Sequence, residues 1–268
     1  MIPMKSRLIA LDIDGTILDR PSDLEVPDAV CEAVSSARLA GARMCLCSSR
    51  PCYMMDDVRG GALETDALVG CGGAMIEQGG EIIYADSLTF PVMLACIEVA
   101  KKWDIHMSFA GMEKLYIGKK GPIDSAAASN PLFAIMEDEE LLSTLRVTQV
   151  MCAFLFTDPG MPDSVVLAEP ALSVATVCRS SKDCFVITNK GTDKGSAALY
   201  LANLWGIEQG EILAVGNDGN DIPMIKAAGV GVAVANAAPE VLEAADWIAP
   251  DVWNAGAAEA IRRFAVSE

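Results

Sequence analysis

Short apolar runs with the length of a strand constrain the fold of this chain more than any other feature. The runs "RLIAL" and "RMCLC" lie near the start, and "EILAVG" and "VGVAVA" lie near the end. None alternates between apolar and polar residues, which is typical of strands covered on both faces. Segments with helical spacing lie between them, such as residues 26–42. This alternation predicts right-handed β-α-β units and a parallel sheet, and therefore the α/β class.

The middle of the chain has a different texture. We expect long strands over 104–118 and 147–157, a hairpin over 171–188, and helices over 91–103 and 138–145. Such a mixture is α+β rather than parallel α/β. We therefore predict a Rossmann-like parallel-sheet core formed by residues 1–83 and 187–268, into which an α+β cap domain, residues 84–186, is inserted.

Charge and hydropathy exclude several classes of partner. The net charge is −17, and no cluster of Lys and Arg is longer than a pair, so we expect no nucleic-acid partner. No run reaches the roughly 18 apolar residues of a membrane span, and the N-terminal residues do not resemble a signal peptide. The nine cysteines include no C-x-x-C pair, which argues against a zinc site or a disulfide framework and fits reduced thiols in the cytoplasm.

The chain has a single histidine, His106, which makes histidine-based metal clusters and a Ser-His-Asp hydrolase improbable. We interpret His106 itself as a surface or packing residue. Cys45 and Cys47 alternate along a predicted strand, and we interpret them as small core residues rather than ligands.

Polar residues follow three of the predicted core strands. Asp12 and Asp14 follow the first, Ser48-Ser49-Arg50 the second, and the loop 217–221 a late one. Ligands of open parallel sheets bind at the carboxyl ends of the strands, where the strand order switches, so these ends are expected to converge on one crevice. Buried carboxylates cost free energy unless something pairs with them, which indicates a functional role.

At these residues the sequence resembles the haloacid dehalogenase-like hydrolases, specifically the Cof-type phosphatases with a large α/β cap. The resemblance covers essentially the whole chain. It rests on the motifs "DIDGT", "CLCSSRP", "TDKGSAA", "GNDGNDIPM" and "NAGAAEAI".

The resemblance implies a catalytic role for both early carboxylates. Asp12 would be the nucleophile that attacks phosphorus and forms an aspartyl-phosphate, and Asp14 would be the general acid and then the general base. Ser48, Lys194 and Asn220 would bind the phosphoryl group. Arg50 is a further candidate for phosphate binding or for gating the site.

The resemblance also implies Mg²⁺ as cofactor. Asp12, the backbone carbonyl of Asp14, Asn217 and Asp221 would hold the ion, with Asp218 close by. Three positions depart from the family pattern. Asn217 stands where the family usually has Asp, Ser49 replaces a Gly, and Gly72 replaces an Asn. An amide oxygen still ligates Mg²⁺ but carries no charge, so metal affinity is expected to fall.

We therefore predict a phosphoric monoester hydrolase that acts on a small phosphorylated metabolite, with a sugar phosphate preferred. Two alternatives stay open: a phospho-ligand-binding protein with weakened catalysis, and a phosphomutase, which the large cap disfavours. The oligomeric state, monomer or homodimer, is not determined by the sequence.

Overall fold

The computed structural model describes residues 6–19, 25–59, 63–118 and 130–266. The chain forms two compact units: residues 1–84 with 193–268, and residues 85–192. The division falls at 192/193 rather than at 186/187, because the strand that covers 187 continues to Asn189 and remains paired within the second unit.

The strands of the described residues are, in chain order, β1 (Leu8–Leu11), β2 (Arg43–Cys47), β3 (Ala67–Gly70), β4 (Met75–Gln78), β5 (Glu81–Ala85), β6 (His106–Gly111), β7 (Leu115–Gly118), β8 (Phe133–Met136), β9 (Val150–Phe156), β10 (Ala175–Ser181), β11 (Cys184–Asn189), β12 (Ile212–Gly216), β13 (Val230–Val234) and β14 (Trp247–Ala249). The α-helices are α1 (Asp28–Leu39), α2 (Asp56–Arg59), α3 (Phe90–Trp103), α4 (Asp138–Leu145), α5 (Ser164–Leu167), α6 (Lys194–Leu204), α7 (Ile222–Ala227), α8 (Pro239–Ala244) and α9 (Gly256–Phe264).

The first unit contains a sheet with the strand order β14-β13-β12-β1-β2-β3-β4-β5. The pairs from β14 to β3 are parallel, which confirms the predicted α/β core. The sheet is not parallel throughout, because β4 runs antiparallel to β3 after a tight turn of glycines. The central strand β1 is wholly buried, as its continuous apolar sequence predicts.

The order of these strands positions the site. From β1 the chain continues to β2 on one side, whereas β12 lies on the other side. The strand order therefore reverses at β1, and the segments that follow β1, β2 and β12 leave the sheet at the same edge.

The second unit contains a sheet with the order β10-β11-β9-β6-β7-β8, antiparallel except for the last pair. Helices α3 and α4 supply apolar side chains to its core, and the hairpin expected over 171–188 is confirmed as β10–β11. The single long strand expected over 104–118 is wrong. The segment is a hairpin, since the Gly111 N–H donates to the Lys114 carbonyl oxygen at 2.8 Å and reverses the chain.

No helix in the part of the chain that the structure describes is long and apolar enough to span a membrane.

Candidate active site

A buried cluster of one lysine and two carboxylates lies at the carboxyl ends of β1 and β12. Lys194 Nζ donates to Asp12 Oδ1 at 2.6 Å and to Asp221 Oδ1 at 2.6 Å. All three side chains are at least 93% removed from solvent. Two carboxylates therefore share one cation, and the cluster has a net negative charge when every member is ionised.

Helix α6 delivers the lysine to this cluster. Asp193 caps the helix by accepting from the Ser196 N–H at 2.8 Å, while Ser196 Oγ accepts from the Asp193 N–H at 3.0 Å. This reciprocal pair fixes the first turn, so Lys194 enters the core at a defined point. The paired carboxylates compensate for the unfavourable position of a cation at a helix N-terminus.

The charges of the cluster shift the pKa values of its members. Burial, followed by the neighbouring charge of Asp221, raises the pKa of Asp12 to about 7, although Lys194 opposes this shift. Burial acts to lower the pKa of Lys194, but the two neighbouring carboxylates raise it by more. The pKa of Lys194 therefore lies above its ordinary value, and the lysine stays protonated.

Asp221 also organises the loop that follows β12. Its Oδ2 accepts from the backbone N–H groups of Asn217 at 2.9 Å and Asp218 at 3.0 Å. Gly216 makes this possible, because a Cβ at that position would lie 2.4 Å from Asp221 Cβ. One carboxylate thus binds Lys194 with one oxygen and shapes the loop with the other.

The loop that follows β1 contributes the second Asp12 oxygen and Asp14. Thr16 Oγ1 donates to Asp12 Oδ2 at 3.0 Å, and Gly15 turns the chain with φ +84°. The carboxylate of Asp14 is held by Arg50 in a two-point contact, with Arg50 Nε at 2.8 Å from Oδ2 and a second guanidinium nitrogen bonded to Oδ1. The two early carboxylates therefore have different partners.

The segment after β2 supplies the remaining predicted residues. Ser48 is buried, and its Oγ accepts from the Arg50 N–H at 3.1 Å, while as a hydroxyl it retains one proton to donate. Asn220 Nδ2 donates to Ser49 Oγ at 2.7 Å. This bond joins the loops after β2 and β12, and it involves the position where Ser replaces the family's Gly.

The sequence of the chain matches the profile of the haloacid dehalogenase-like hydrolases over residues 9–261. The chain belongs to this family. The resemblance described from the motifs is thereby confirmed, as is the expectation of an enzyme of the hydrolase class.

Relatives and solved structures match this chain over nearly its whole length and theirs. It is 30% identical, over 98% of its own chain and 99% of the other, to the Bacillus subtilis protein "Putative phosphatase YxeH". It is 28% identical to a phosphoglycolate phosphatase of Methanoculleus marisnigri, with 96% of each chain covered. The solved structure of the subclass IIB sugar phosphatase BT4131 superposes with a TM-score of 0.83 at 21% identity, covering 98% of this chain and 100% of that one.

Two residues of this hydrolase site were not among those predicted. Thr16 binds Asp12, and Asn236 Nδ2 donates to the Gly15 carbonyl oxygen at 2.8 Å while its Oδ1 accepts from the Val252 N–H at 2.9 Å. Asn236 lies two residues after the end of β13. The rule that polar residues at strand ends face the crevice, applied to this strand as well, would have identified it.

The donor set at the end of β1 fits a hard cation. In the described residues, no group of three His, Cys, Asp or Glu side chains is arranged to hold a metal. However, Asp12 Oδ2 and the Asp14 carbonyl oxygen lie 2.9 and 3.0 Å from the same terminal atom of the Asn217 amide. The two oxygens thus converge on one point, and oxygen ligands of this kind suit Mg²⁺.

Proposed function

We propose that this hydrolase removes the phosphoryl group from a small phosphorylated metabolite through an aspartyl-phosphate on Asp12. The observation that carries the proposal is the buried Asp12–Lys194–Asp221 cluster at the point where the strand order reverses. Burying charged groups at such a depth costs free energy, and a role in binding a phosphoryl group beside Lys194 accounts for that cost.

In the first step, a carboxylate oxygen of Asp12 bonds to phosphorus, and the bond between phosphorus and the substrate oxygen breaks. Asp14 gives a proton to the departing alkoxide. In the second step, Asp14 takes a proton from water, the water oxygen attacks phosphorus, and the Asp12 carboxylate leaves. Inorganic phosphate and the free alcohol are the products, and both carboxyl groups return to their starting states.

The surrounding residues bind and orient the phosphoryl group. Lys194 supplies a fixed positive charge, because its neighbours keep it protonated. The Ser48 hydroxyl donates to a phosphoryl oxygen. Asn220, which is bonded to the neighbouring Ser49, binds the same phosphoryl group. Arg50 orients Asp14 through its two-point contact.

Asp12, the Asp14 carbonyl, Asn217 and Asp221 would hold Mg²⁺, with Asp218 next to them. When bound, the ion shields the repulsion between Asp12 and the phosphoryl oxygens. We assign selection of the leaving group to the second unit, residues 85–192, which contributes none of these residues.

The substrate class is a small phosphorylated metabolite. A similarity to a phosphoglycolate phosphatase and a fold shared with a sugar phosphatase support this class. Within it we favour a sugar phosphate, and phosphoglycolate is the first compound to test against it.

The test is release of inorganic phosphate from an aryl phosphate, a panel of sugar phosphates and phosphoglycolate at saturating Mg²⁺. We expect turnover by the native chain and a loss of at least about a thousandfold in Asp12→Asn, since the amide is not a nucleophile. Turnover that survives in Asp12→Asn would refute this assignment of the nucleophile.

The residue at position 217 gives one reason to test a binding protein as the second candidate. Asn217 brings an amide rather than a carboxylate to the proposed cation site, so it adds no charge there. Binding of the phosphorylated compound without release of phosphate at saturating Mg²⁺ would identify such a protein.

A further inference from the structure

The motif "NAGAAEAI" carries part of the sequence resemblance, but the proposed function gives it no role. Its first and third residues shape the turn that follows β14. Asp251 Oδ1 accepts from the Asn254 N–H at 3.0 Å and from the Asn254 side-chain nitrogen at 2.8 Å. Gly256 allows the turn to close, because a Cβ at that position would lie 1.7 Å from the Pro250 carbonyl oxygen. The segment 250–256 is therefore held in one conformation by its own residues.

Asn236 joins this turn to the loop that follows β1. Its Oδ1 accepts from the Val252 N–H at 2.9 Å, and its Nδ2 donates to the Gly15 carbonyl oxygen at 2.8 Å. A backbone N–H only donates and a carbonyl oxygen only accepts, so these two partners fix the orientation of the amide. The Asn236 side chain therefore connects the two segments through both of its polar atoms.

The position of the Gly15 carbonyl group depends on this connection. The Gly15 N–H donates to the Leu18 carbonyl oxygen at 2.6 Å within the loop, whereas the Gly15 carbonyl oxygen accepts from Asn236, outside it. Gly15 has a φ of +84°, and glycine adopts positive and negative φ with similar ease, so its own geometry does not hold it there. Gly15 lies between Asp14 and Thr16, and a change in its backbone therefore moves both neighbours.

We propose that Asn236 is a positioning residue for phosphoryl transfer and that the turn 250–256 is its anchor. This inference rests on the proposed function, which assigns the nucleophile to Asp12 and the acid and base to Asp14. The two hydrogen bonds of Asn236 go to backbone groups and not to these carboxylates. Asn236 acts through Gly15 and keeps the loop after β1 in the geometry that the reaction requires.

The main experiment measures kcat and KM of the full-length chain for an aryl phosphate and a sugar phosphate at saturating Mg²⁺. Asn236→Ala should lower kcat about tenfold to a hundredfold and change KM less than about threefold, because misplaced catalytic groups slow the chemical step. Asn236→Ala combined with Asp14→Asn should lose less kcat than the product of the two single losses, since the position of Asp14 matters less once its carboxyl group is gone.

Asp246→Ala is the matched control, because it also removes a side-chain hydrogen bond to the backbone of the first unit. Asp246 Oδ2 accepts from the Gly231 N–H at 2.8 Å, near the amino ends of β13 and β14 and therefore at the edge of the sheet opposite the site. Asp246→Ala should lower Tm and leave kcat unchanged. An unchanged kcat in Asn236→Ala, a raised KM alone, or an equal loss of kcat in the control would overturn the proposal.

A second variant keeps Asn236 in place, so the test does not depend on the folding of Asn236→Ala. Val252→Pro removes the N–H that donates to Asn236. Proline suits this position, because Val252 is the first residue of the helical turn Val252–Asn254 and Asp251 before it has a ψ of 173°. Val252→Pro should lower kcat about threefold to tenfold at unchanged KM, since the anchor is lost while the bond to Gly15 remains. An unchanged kcat would overturn the proposal.

Hydrogen exchange separates this inference from the proposed function, because it needs no turnover. The N–H groups of Ile17 and Leu18 both donate to the Ile13 carbonyl oxygen at 3.0 Å within the loop. Their exchange should accelerate in Asn236→Ala and not in Asp246→Ala. Equal exchange rates in the native chain and in Asn236→Ala would overturn the inference. Accelerated exchange, in a protein whose native form releases no phosphate, would count against the hydrolase alone.

Discussion

The two units of the molecule differ in what they bury. Among its described residues, the first unit buries three charged side chains, those of Asp12, Lys194 and Asp221. In the described residues of the second unit, the buried polar side chains are those of Ser108, Thr157, Thr188 and Thr192, and none is charged. Burying a neutral hydroxyl group costs far less free energy than burying an ionised group, which requires a charged or hydrogen-bonding partner.

This difference shows where sequence patterns reflect chemistry and where they reflect packing. In the first unit, an acidic residue after an apolar strand departs from the apolar composition expected of a core. This departure indicates the candidate site. The interior of the second unit buries no charged side chain among its described residues. Its sequence therefore predicts strands and helices but no binding residues.

The largest expected effect tests whether the two units are energetically separate. Phe109, in β6, is fully buried, and Phe109→Ala should lower the free energy of unfolding of the second unit by about 3–5 kcal/mol. Hydrogen exchange should accelerate within 85–192 only. Leu46→Ala, in the buried strand β2, is the matched change in the first unit and should accelerate exchange there. Equal acceleration in both units by either variant would remove the distinction.

The second largest expected effect concerns the contact between Arg50 and Asp14 in the first unit. Arg50→Gln should lower kcat about tenfold to a hundredfold, because Asp14 loses the two contacts that orient it. The loss should be greater for alkyl than for aryl phosphates, since an aryl leaving group needs less help from an acid. Combined with Asp14→Asn, it should add little further loss.

Arg38→Gln is the control for that measurement, because Arg38 also pairs with carboxylates, those of Glu64 and Asp66, but outside the site. It should leave kcat unchanged. A higher KM with unchanged kcat in Arg50→Gln would mean that Arg50 binds substrate and does not position Asp14.

The smallest effect concerns His106 in the second unit. Burial lowers the pKa of His106, whose ring also lies 5.5 Å from that of Phe156. Above about pH 6.5 the histidine is neutral in both states and contributes nothing. As the pH falls through 6.5, the unfolded chain takes up the proton first, so stability falls.

Replacing His106 with Gln should remove this part of the acid dependence. Denaturant unfolding at pH 8 and pH 5 should show a gain of less than about 1 kcal/mol for His106→Gln relative to the native chain at pH 5 only. A gain of equal size at pH 8 would show that packing, and not protonation, is responsible.

The sequence predicted the α/β core because continuous apolar runs are tolerated only where both sheet faces are covered. It also predicted that the segments after β1, β2 and β12 lie together, which follows from the parallel order. It did not predict that Arg50 binds Asp14 or that Asn220 binds Ser49. Such pairings depend on side-chain positions that spacing along the chain does not determine.

Turns were the other source of error. Residues 104–118 have strand propensity throughout, and the sequence does not show the reversal after Gly111, where the Gly111 N–H donates to the Lys114 carbonyl oxygen. Likewise, β4 turns back on β3 and makes the sheet mixed, which the apolar pattern does not reveal. Local chemistry specified the elements better than the directions in which they run.

The hydrogen bonds of Asn236 have a consequence for how this architecture diversifies. Asn236 bonds to both Gly15 and Val252, and the Ala238 N–H donates to the Asn217 carbonyl oxygen. Residues from both ends of the chain therefore hold the loops of the candidate site in place. None of these residues belongs to the stretch 85–192. The stretch can therefore be lengthened, shortened or exchanged while every one of these bonds is kept.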